Sequence, residues 1–89
     1  MAKSLKEKVA EALKLAAGPD AHIELDDEPG GKIGGVVLSG AFADQSPTER
    51  QDHLWRHLDA QLTPFERTRI LFIVADTPEE YEAMKKASG

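Results

Sequence analysis

The chain has 89 residues, of which 16 are acidic and 11 basic, so its formal charge at pH 7 is −5. The absence of cysteine excludes disulfides, thiolate metal sites and cysteine nucleophiles. No segment approaches the roughly 20 apolar residues that a membrane-spanning helix needs. We therefore expect one cytoplasmic domain over residues 1–89, with its core within about residues 4–85 and no association with membranes.

The first half of the chain predicts a helix followed by two strands. Apolar residues recur every three or four positions over residues 3–17, which is typical of an amphipathic helix, and Gly18-Pro19-Asp20 ends it. Alternating residues predict a half-buried strand over residues 21–26. Turn-forming residues 27–33 then lead to a second strand over residues 34–39. Its continuous apolar run indicates burial on both faces or a bend.

The second half predicts a long helix, then a strand, then a last helix. Ser46, Pro47 and Glu49 form the pattern of a capping box, which begins a helix that ends near Thr63-Pro64. The inner face of this helix is expected to consist of Leu54, Trp55, Leu58 and Leu62, with Trp55 anchoring the core.

Residues after this helix predict the remaining elements. A short extra turn is expected near residues 63–67, with Phe65 packing under the following loop. The apolar, β-branched residues 69–75 predict a central strand. Thr77 and Pro78 begin a final helix whose Tyr81 and Met84 would face inward. The predicted order is α-β-β-α-β-α, an α+β fold with a three-stranded mixed sheet and helices packed on it.

Two sequence patterns that suggest binding sites are better explained structurally. His53 and His57 are four residues apart on one helix, a spacing that allows two imidazoles to share a metal, but the zincin pattern needs a glutamate where Leu54 stands. Gly31-Lys32-Ile33-Gly34 matches the clamp of KH domains, yet it lies between two strands instead of two helices. We interpret them as a solvated helix surface and a hairpin turn.

Neither a calcium site nor a catalytic site emerges from the sequence. The acidic run Asp26-Asp27-Glu28 lacks the ligand series and glycine of an EF-hand, so an exposed acidic turn is expected. No spacing indicates a nucleophile with its base, and we expect no enzyme. The candidate site residues are four arginines that could together form a partner-binding face, Arg50, Arg56, Arg67 and Arg69.

Several motifs, in their order and spacing, resemble the BolA family. They follow the opening amphipathic helix, and they are Ile23-Glu24-Leu25-Asp26-Asp27, Val36-Val37-Leu38-Ser39-Gly40-Ala41-Phe42, Ser46 with Glu49-Arg50, and Thr77-Pro78-Glu79-Glu80-Tyr81. The resemblance implies an αββαβ-type fold related to class II KH domains. It also implies proteins that act without catalysis, bind monothiol glutaredoxins, share an iron–sulfur cluster with them, and in some cases bind DNA.

The cluster function of the family depends on a histidine at the start of the last strand and a histidine or cysteine in the hairpin loop. Counting back from Thr77-Pro78, the first position is Arg69 here, and residues 27–35 contain neither ligand. Arginine stays protonated and cannot donate a lone pair to iron. We therefore expect neither a metal nor another cofactor.

Two functional hypotheses follow from these observations. The first is a non-enzymatic BolA-like regulatory or adaptor protein that binds a protein partner, with a monothiol glutaredoxin among the candidates, without ligating metal. The second is a KH-like nucleic-acid-binding transcriptional regulator that uses the arginine face. The net charge of −5 disfavours the second, since affinity for nucleic acid depends on an excess of lysine and arginine. The sequence indicates no strand order and no oligomeric state.

Overall fold

The computed structural model describes residues 3–88. Its helices span Leu5–Ala17 (α1), Pro47–Gln61 (α2), Pro64–Arg67 (α3) and Pro78–Ser88 (α4), and its strands span His22–Glu28 (β1), Lys32–Leu38 (β2) and Ile70–Asp76 (β3). Short 3₁₀ turns occupy Pro29–Gly31 and Gly40–Asp44. Within residues 3–88, none of the helices combines the length and the apolar character that crossing a bilayer requires.

The three strands form one mixed sheet in the order β1-β2-β3. The hairpin strands β1 and β2 are antiparallel, and β3 lies parallel to β2 after the crossover through α2 and α3. The predicted mixed sheet is confirmed, but the prediction that β3 is the central strand is wrong. β2 is central, which explains its continuous apolar run, while β3 forms an edge and leaves Leu71 and Phe72 exposed.

The hairpin is tighter than the sequence predicts. Gly30 and Gly31 have φ angles of 77° and 72°, a left-handed conformation that glycine adopts without steric cost. Two such residues reverse the chain within the 3₁₀ turn. Residues 27, 28, 32 and 33, which were predicted to form the turn, therefore belong to the strands. Asp27 pairs with Ile33 and Glu28 with Lys32 in the antiparallel ladder.

The core lies between one face of the sheet and the helices α1 and α2. Its fully buried side chains include Val9, Leu13, Val37, Phe42, Leu54 and Leu58. Gly35 permits this packing, because a Cβ there would lie 2.8 Å from Leu25 Cδ2 and 3.1 Å from Ile73 Cδ1. The predicted inner face of α2 is confirmed for its leucines. Trp55 is only half-buried at the core's edge, where its indole N–H donates to Gln51 Oε1 at 3.2 Å.

The predicted helix starts are confirmed by their capping hydrogen bonds. Ser46 Oγ accepts from the Glu49 N–H at 3.2 Å, and Glu49 Oε1 accepts from the Ser46 N–H at 2.8 Å. Thr77 and Glu80 form the same reciprocal pair at the start of α4, at 3.1 and 2.8 Å. These bonds satisfy first-turn N–H groups that have no partner within the helix.

Two side chains expected to be buried are exposed. Phe65 is 72% exposed, because it lies on α3, a single surface turn with no buried residue. Met84 is 58% exposed, whereas Glu80 in the first turn of the same helix is bonded to Arg50 and Thr77. The predicted packing of Phe65 and the inward orientation of Met84 are both wrong.

Candidate functional site

Arg50 lies buried beneath the C-terminal end of β3, with only 6% of its surface exposed. Its Nε donates to the carbonyls of Phe42 and Gln45 at 3.0 and 3.1 Å, and its Nη1 donates to the Ala75 carbonyl at 3.1 Å. Both carboxylate oxygens of Glu80 accept from the same guanidinium, at 2.7 and 3.1 Å. One side chain therefore connects α2, the turn before it, β3 and α4.

The ion pair between Arg50 and Glu80 is reflected in the titration of both groups. The hydrogen bonds from Arg50, assisted by the Thr77 N–H, lower the pKa of Glu80 to about 2. The same carboxylate raises the pKa of Arg50 above its ordinary value. Because hydrogen bonding to the charged forms favours them, the pair stays ionised at neutral pH and acts as a structural clasp.

The other three arginines occupy different surroundings. Arg69 precedes β3 and its Nε donates to the Gly31 carbonyl at 2.7 Å. Arg67 Nη1 pairs with Asp59 Oδ1 at 2.7 Å. Arg56 is exposed on α2, where it lines a shallow polar depression of about 300 Å³ with Gln45, Glu49, Asp52 and His53.

The four arginines therefore do not line one face. Arg50 and Arg69 lie at opposite ends of β3, and the donors of Arg50 are occupied by the protein itself. This corrects the expectation of a shared arginine face and removes Arg50 from the candidate binding residues. Partner binding by Arg56, Arg67 and Arg69 stays a prediction.

The two histidines on α2 are part of the helix packing. Their ring centroids are 5.2 Å apart, and both side chains are half-buried at the edge of the inner face. His53 Nε2 lies 2.8 Å from the carbonyl of Ala16, where the ring N–H donates to α1. Among the described residues, no group of three metal-ligating side chains comes together.

The glycine motif and the acidic run lie in the hairpin, across its turn and strands. Gly31 ends the 3₁₀ turn and Gly34 lies within β2, so the motif does not join two helices as a KH clamp would. The acidic residues Asp26, Asp27 and Glu28 belong to β1, not to an exposed turn as expected. Asp27 pairs with Lys6 of α1 at 3.1 Å.

A cleft of about 330 Å³ opens where the hairpin, α1 and the start of β3 meet, and we call it the hairpin cleft. Its lining residues are Ser4, Leu5, Lys6, Asp27, Gly31, Lys32, Ile33 and Arg69. Lys32 Nζ donates to the Thr68 carbonyl at 2.8 Å, so two cations are held across the cleft by backbone carbonyls. Arg69 and the hairpin thus lie side by side. The resemblance implies that these are the two places where a family member would hold a metal cluster.

The residues of the hairpin cleft do not fit an iron–sulfur cluster. Such clusters are held by thiolates, with imidazole as the known replacement, and the lining supplies cations, one carboxylate and one hydroxyl. Of the three histidines, His22 pairs with Leu38 at the other end of the hairpin strands, and His53 and His57 lie on α2.

An apolar surface segment leads into β3, and we call residues 65–72 the entry segment. Three of the five large apolar side chains that are exposed in the described part of the chain belong to it: Phe65, Leu71 and Phe72, at 72%, 56% and 42%. Phe72 lies over Gly34, where a Cβ would come within 2.5 Å of its ring. The sequence did not reveal this surface, since an apolar run cannot show by itself that its strand is an edge.

The comparisons agree with this architecture. No protein-family model and no curated protein sequence matches the chain. A bol-like protein from Babesia bovis is 23% identical, with 96% of this chain and 95% of that one covered and a TM-score of 0.65. A bolA protein homologue from Coxiella burnetii is 20% identical, with 92% and 99% covered and a TM-score of 0.50. The chain therefore has the fold of BolA-like proteins, as its sequence motifs predicted.

Proposed function

We propose that this chain is a non-enzymatic, BolA-like adaptor that binds a protein partner through its entry segment without ligating metal. A monothiol glutaredoxin is the first candidate partner, because the resemblance in sequence motifs and fold points to it. The observation that carries the proposal is the exposure of Phe65, Leu71 and Phe72 within eight consecutive residues.

Three exposed large apolar side chains within eight consecutive residues favour association with another protein. A clustered apolar surface rimmed by polar residues is typical of interaction sites, and aromatic residues and arginine are enriched at the centres of interfaces. The entry segment combines two phenylalanines with Arg67 and Arg69. Burying a fully exposed large apolar side chain contributes about 1.5–3 kcal/mol. These three side chains are already partly buried, so their further burial favours association and supplies part of the binding free energy.

The metal-free part of the proposal is supported by the chemistry of the hairpin cleft. Arg69 occupies the position expected of the family's ligand and is held by the Gly31 carbonyl. Its guanidinium carries no lone pair for iron. Any complex with a glutaredoxin would therefore depend on surface contacts and not on a shared cluster.

Nucleic-acid binding is the second candidate, and one observation favours it. Lys6, Lys32 and Arg69 lie together at the hairpin cleft and could contact phosphates. The overall charge of −5 and the internal use of Arg50 weaken this alternative.

The adaptor proposal can be tested by calorimetric titration of the protein with a monothiol glutaredoxin, before and after anaerobic iron–sulfur reconstitution. Visible absorption is followed in parallel. The key variant is Leu71→Ser in the entry segment, and the matched control is Leu15→Ser on α1, where the leucine is 62% exposed. Both variants remove a similar exposed apolar area without changing charge.

We expect binding with no change in the cluster spectrum, weakened about tenfold by Leu71→Ser and unchanged by Leu15→Ser. An altered cluster spectrum would contradict the metal-free mechanism. Equal weakening by both variants would show that the entry segment is not the interface. Absence of binding would remove glutaredoxin as the partner.

A further inference from the structure

The hairpin cleft is a local concentration of positive charge on an acidic protein. Its lining contains three cations, Lys6, Lys32 and Arg69, and a single acid, Asp27, which gives a formal charge of +2. The whole chain carries −5. A cationic pocket in a net-negative protein attracts anions locally while the remainder of the surface repels large polyanions.

Among the described residues, two of the three cations have no acidic partner. Arg69 Nε donates to the Gly31 carbonyl at 2.7 Å and Lys32 Nζ donates to the Thr68 carbonyl at 2.8 Å. These bonds fix the side chains without neutralising them. Lys6 alone is paired, with the exposed carboxylate of Asp27 at 3.1 Å. Arg69 and Lys32 are thus positioned by backbone acceptors, and their charges are available to pair with a bound anion.

The first turn of α1 also lines the cleft. Ser4 caps the helix by accepting from the Glu7 N–H at 3.2 Å, while Leu5 and Lys6 line the cleft. The N–H groups of a first helical turn lack intrahelical acceptors, and the helix dipole favours negative charge there. This helix end supports an anion site that the cations already define.

The size and lining of the cleft favour a carboxylate on a peptide. A planar guanidinium matches the geometry of a carboxylate in a bidentate pair. Leu5 and Ile33 supply apolar walls that can contact the methylenes or a neighbouring side chain of a peptide. Gly31 leaves room for the guanidinium, because a Cβ there would lie 2.8 Å from Arg69 Nη2.

From these observations we infer that the hairpin cleft is a carboxylate-binding site that receives an acidic side chain or the chain terminus of a protein partner. The existence of the site does not depend on the proposed adaptor function, but the identity of the ligand as part of a protein partner does. The cleft adjoins the start of β3, so a partner on the entry segment could reach it.

The test is a titration followed by the backbone amide signals in ¹H–¹⁵N correlation spectra. The probe is an N-acetylated peptide, Gly-Gly-Asp-Glu-Leu, with a free carboxyl terminus. Its amidated form isolates the side-chain carboxylates, and amidated Gly-Gly-Asn-Gln-Leu lacks carboxylates altogether. The test variant is Lys32→Gln with Arg69→Gln, and the control is Lys14→Gln with Lys86→Gln, which removes the same charge from exposed residues elsewhere.

We expect an acidic peptide to shift the amides of Leu5, Lys6, Lys32, Ile33 and Arg69, with the carboxylate-free peptide inactive. The test variant should weaken binding about tenfold or more, and the control variant should bind as the natural protein does. The free-terminus and amidated peptides then show whether the terminus or the side chains bind. If the double variant is unstable, Lys32→Gln alone replaces it, since it leaves the Arg69–Gly31 bond intact. Its expected effect is an intermediate loss of peptide affinity.

Three results would overturn the inference. They are the absence of shifts in the cleft, equal binding by the test and control variants, and tighter binding of a single-stranded oligonucleotide than of the acidic peptide at the same residues. None of these measurements contains a glutaredoxin. A peptide that binds the cleft while glutaredoxin fails to bind would leave the site intact and overturn only the adaptor proposal.

Discussion

The two ends of β3 use arginine in opposite ways. At the C-terminal end, Arg50 is buried and all of its bonds lie within the protein, including a bidentate pair with Glu80. At the N-terminal end, Arg69 is half-exposed and donates to one backbone carbonyl, beside the exposed Leu71 and Phe72. Whether an arginine has a structural role or a binding role therefore depends on which acceptors surround its guanidinium.

This contrast assigns stability to one end of the strand and recognition to the other. A buried residue whose guanidinium is bonded at all three nitrogens inside the fold cannot recognise a partner without breaking the fold. A residue that is oriented by a neutral acceptor keeps its charge for a ligand. Substitutions at the two ends should therefore separate unfolding from binding.

The largest expected effect is the loss of Arg50. Replacing it with methionine in Arg50→Met removes the guanidinium bonds to the Phe42, Gln45 and Ala75 carbonyls and leaves the Glu80 carboxylate without its cation. The thermal midpoint should fall by about 10 °C or more.

The matched variant at the other end is Arg69→Met, for which we expect a change of at most about 3 °C. Trp55, the single tryptophan, reports unfolding by its fluorescence. Similar midpoints for the two variants would refute the division of roles.

The acid sensitivity of the clasp is the second effect. The pKa of Glu80 lies at about 2 in the folded protein against 4.5 ordinarily, so the carboxylate adds stability that is complete above about pH 4.5 and is lost as pH falls toward 2. The lowered pKa values of Glu49 and Glu66 act in the same direction. Urea unfolding of the natural protein and Glu80→Gln should therefore differ at pH 7 and converge near pH 2.

Glu79→Gln serves as the control, because Glu79 neighbours Glu80 in the first turn of α4 and has no bond to Arg50 among the described residues. Its stability should follow that of the natural protein across the whole pH range. A gap between the natural protein and Glu80→Gln that stays constant from pH 7 to pH 2 would argue against the clasp.

Much of the fold could be predicted from sequence because local chemistry determines it. The capping box at Ser46 and Glu49 fixed the start of α2, and the glycine-proline pair after α1 fixed its end. Strand order was not predictable, since an apolar run fits an edge strand packed on one side as well as a central strand. That ambiguity caused the error for β3 and concealed the entry segment.

The candidate site was less predictable for a different physical reason. Arg50, Arg56, Arg67 and Arg69 are chemically identical in the sequence, and their roles depend on acceptors distant along the chain. Arg50 meets Glu80, 30 positions later, and Arg69 meets Gly31, 38 positions earlier. No local pattern contains such contacts.

A smaller effect is expected from substitution of Gly34, which lies beneath the ring of Phe72. A methyl group in Gly34→Ala would lie 2.5 Å from the ring of Phe72, which must swing away from the sheet. Because the ring is partly exposed and able to move, we expect a loss of about 1–2 kcal/mol and weaker partner binding. Gly40→Ala meets open space and serves as the control. Retention of full binding by Gly34→Ala would show that the position of Phe72 does not matter.

The smallest effects concern the helix caps that flank the two ends. Ser46→Ala removes the cap of α2, which carries Arg50, and should cost about 1 kcal/mol in urea unfolding. Thr63→Ala removes the cap of α3, a single turn beside the entry segment, and should cost less. The reverse order of the two losses would indicate that the entry segment is more tightly coupled to the core than its exposure suggests.

The most direct test of the central claim is amide hydrogen exchange of the protein alone and with a saturating monothiol glutaredoxin. We predict slower exchange in residues 30–33 and 65–72, with exchange near Arg50 and in α4 unchanged. Protection confined to α4 or to the region around Gln45 and Arg56 would contradict binding at the start of β3.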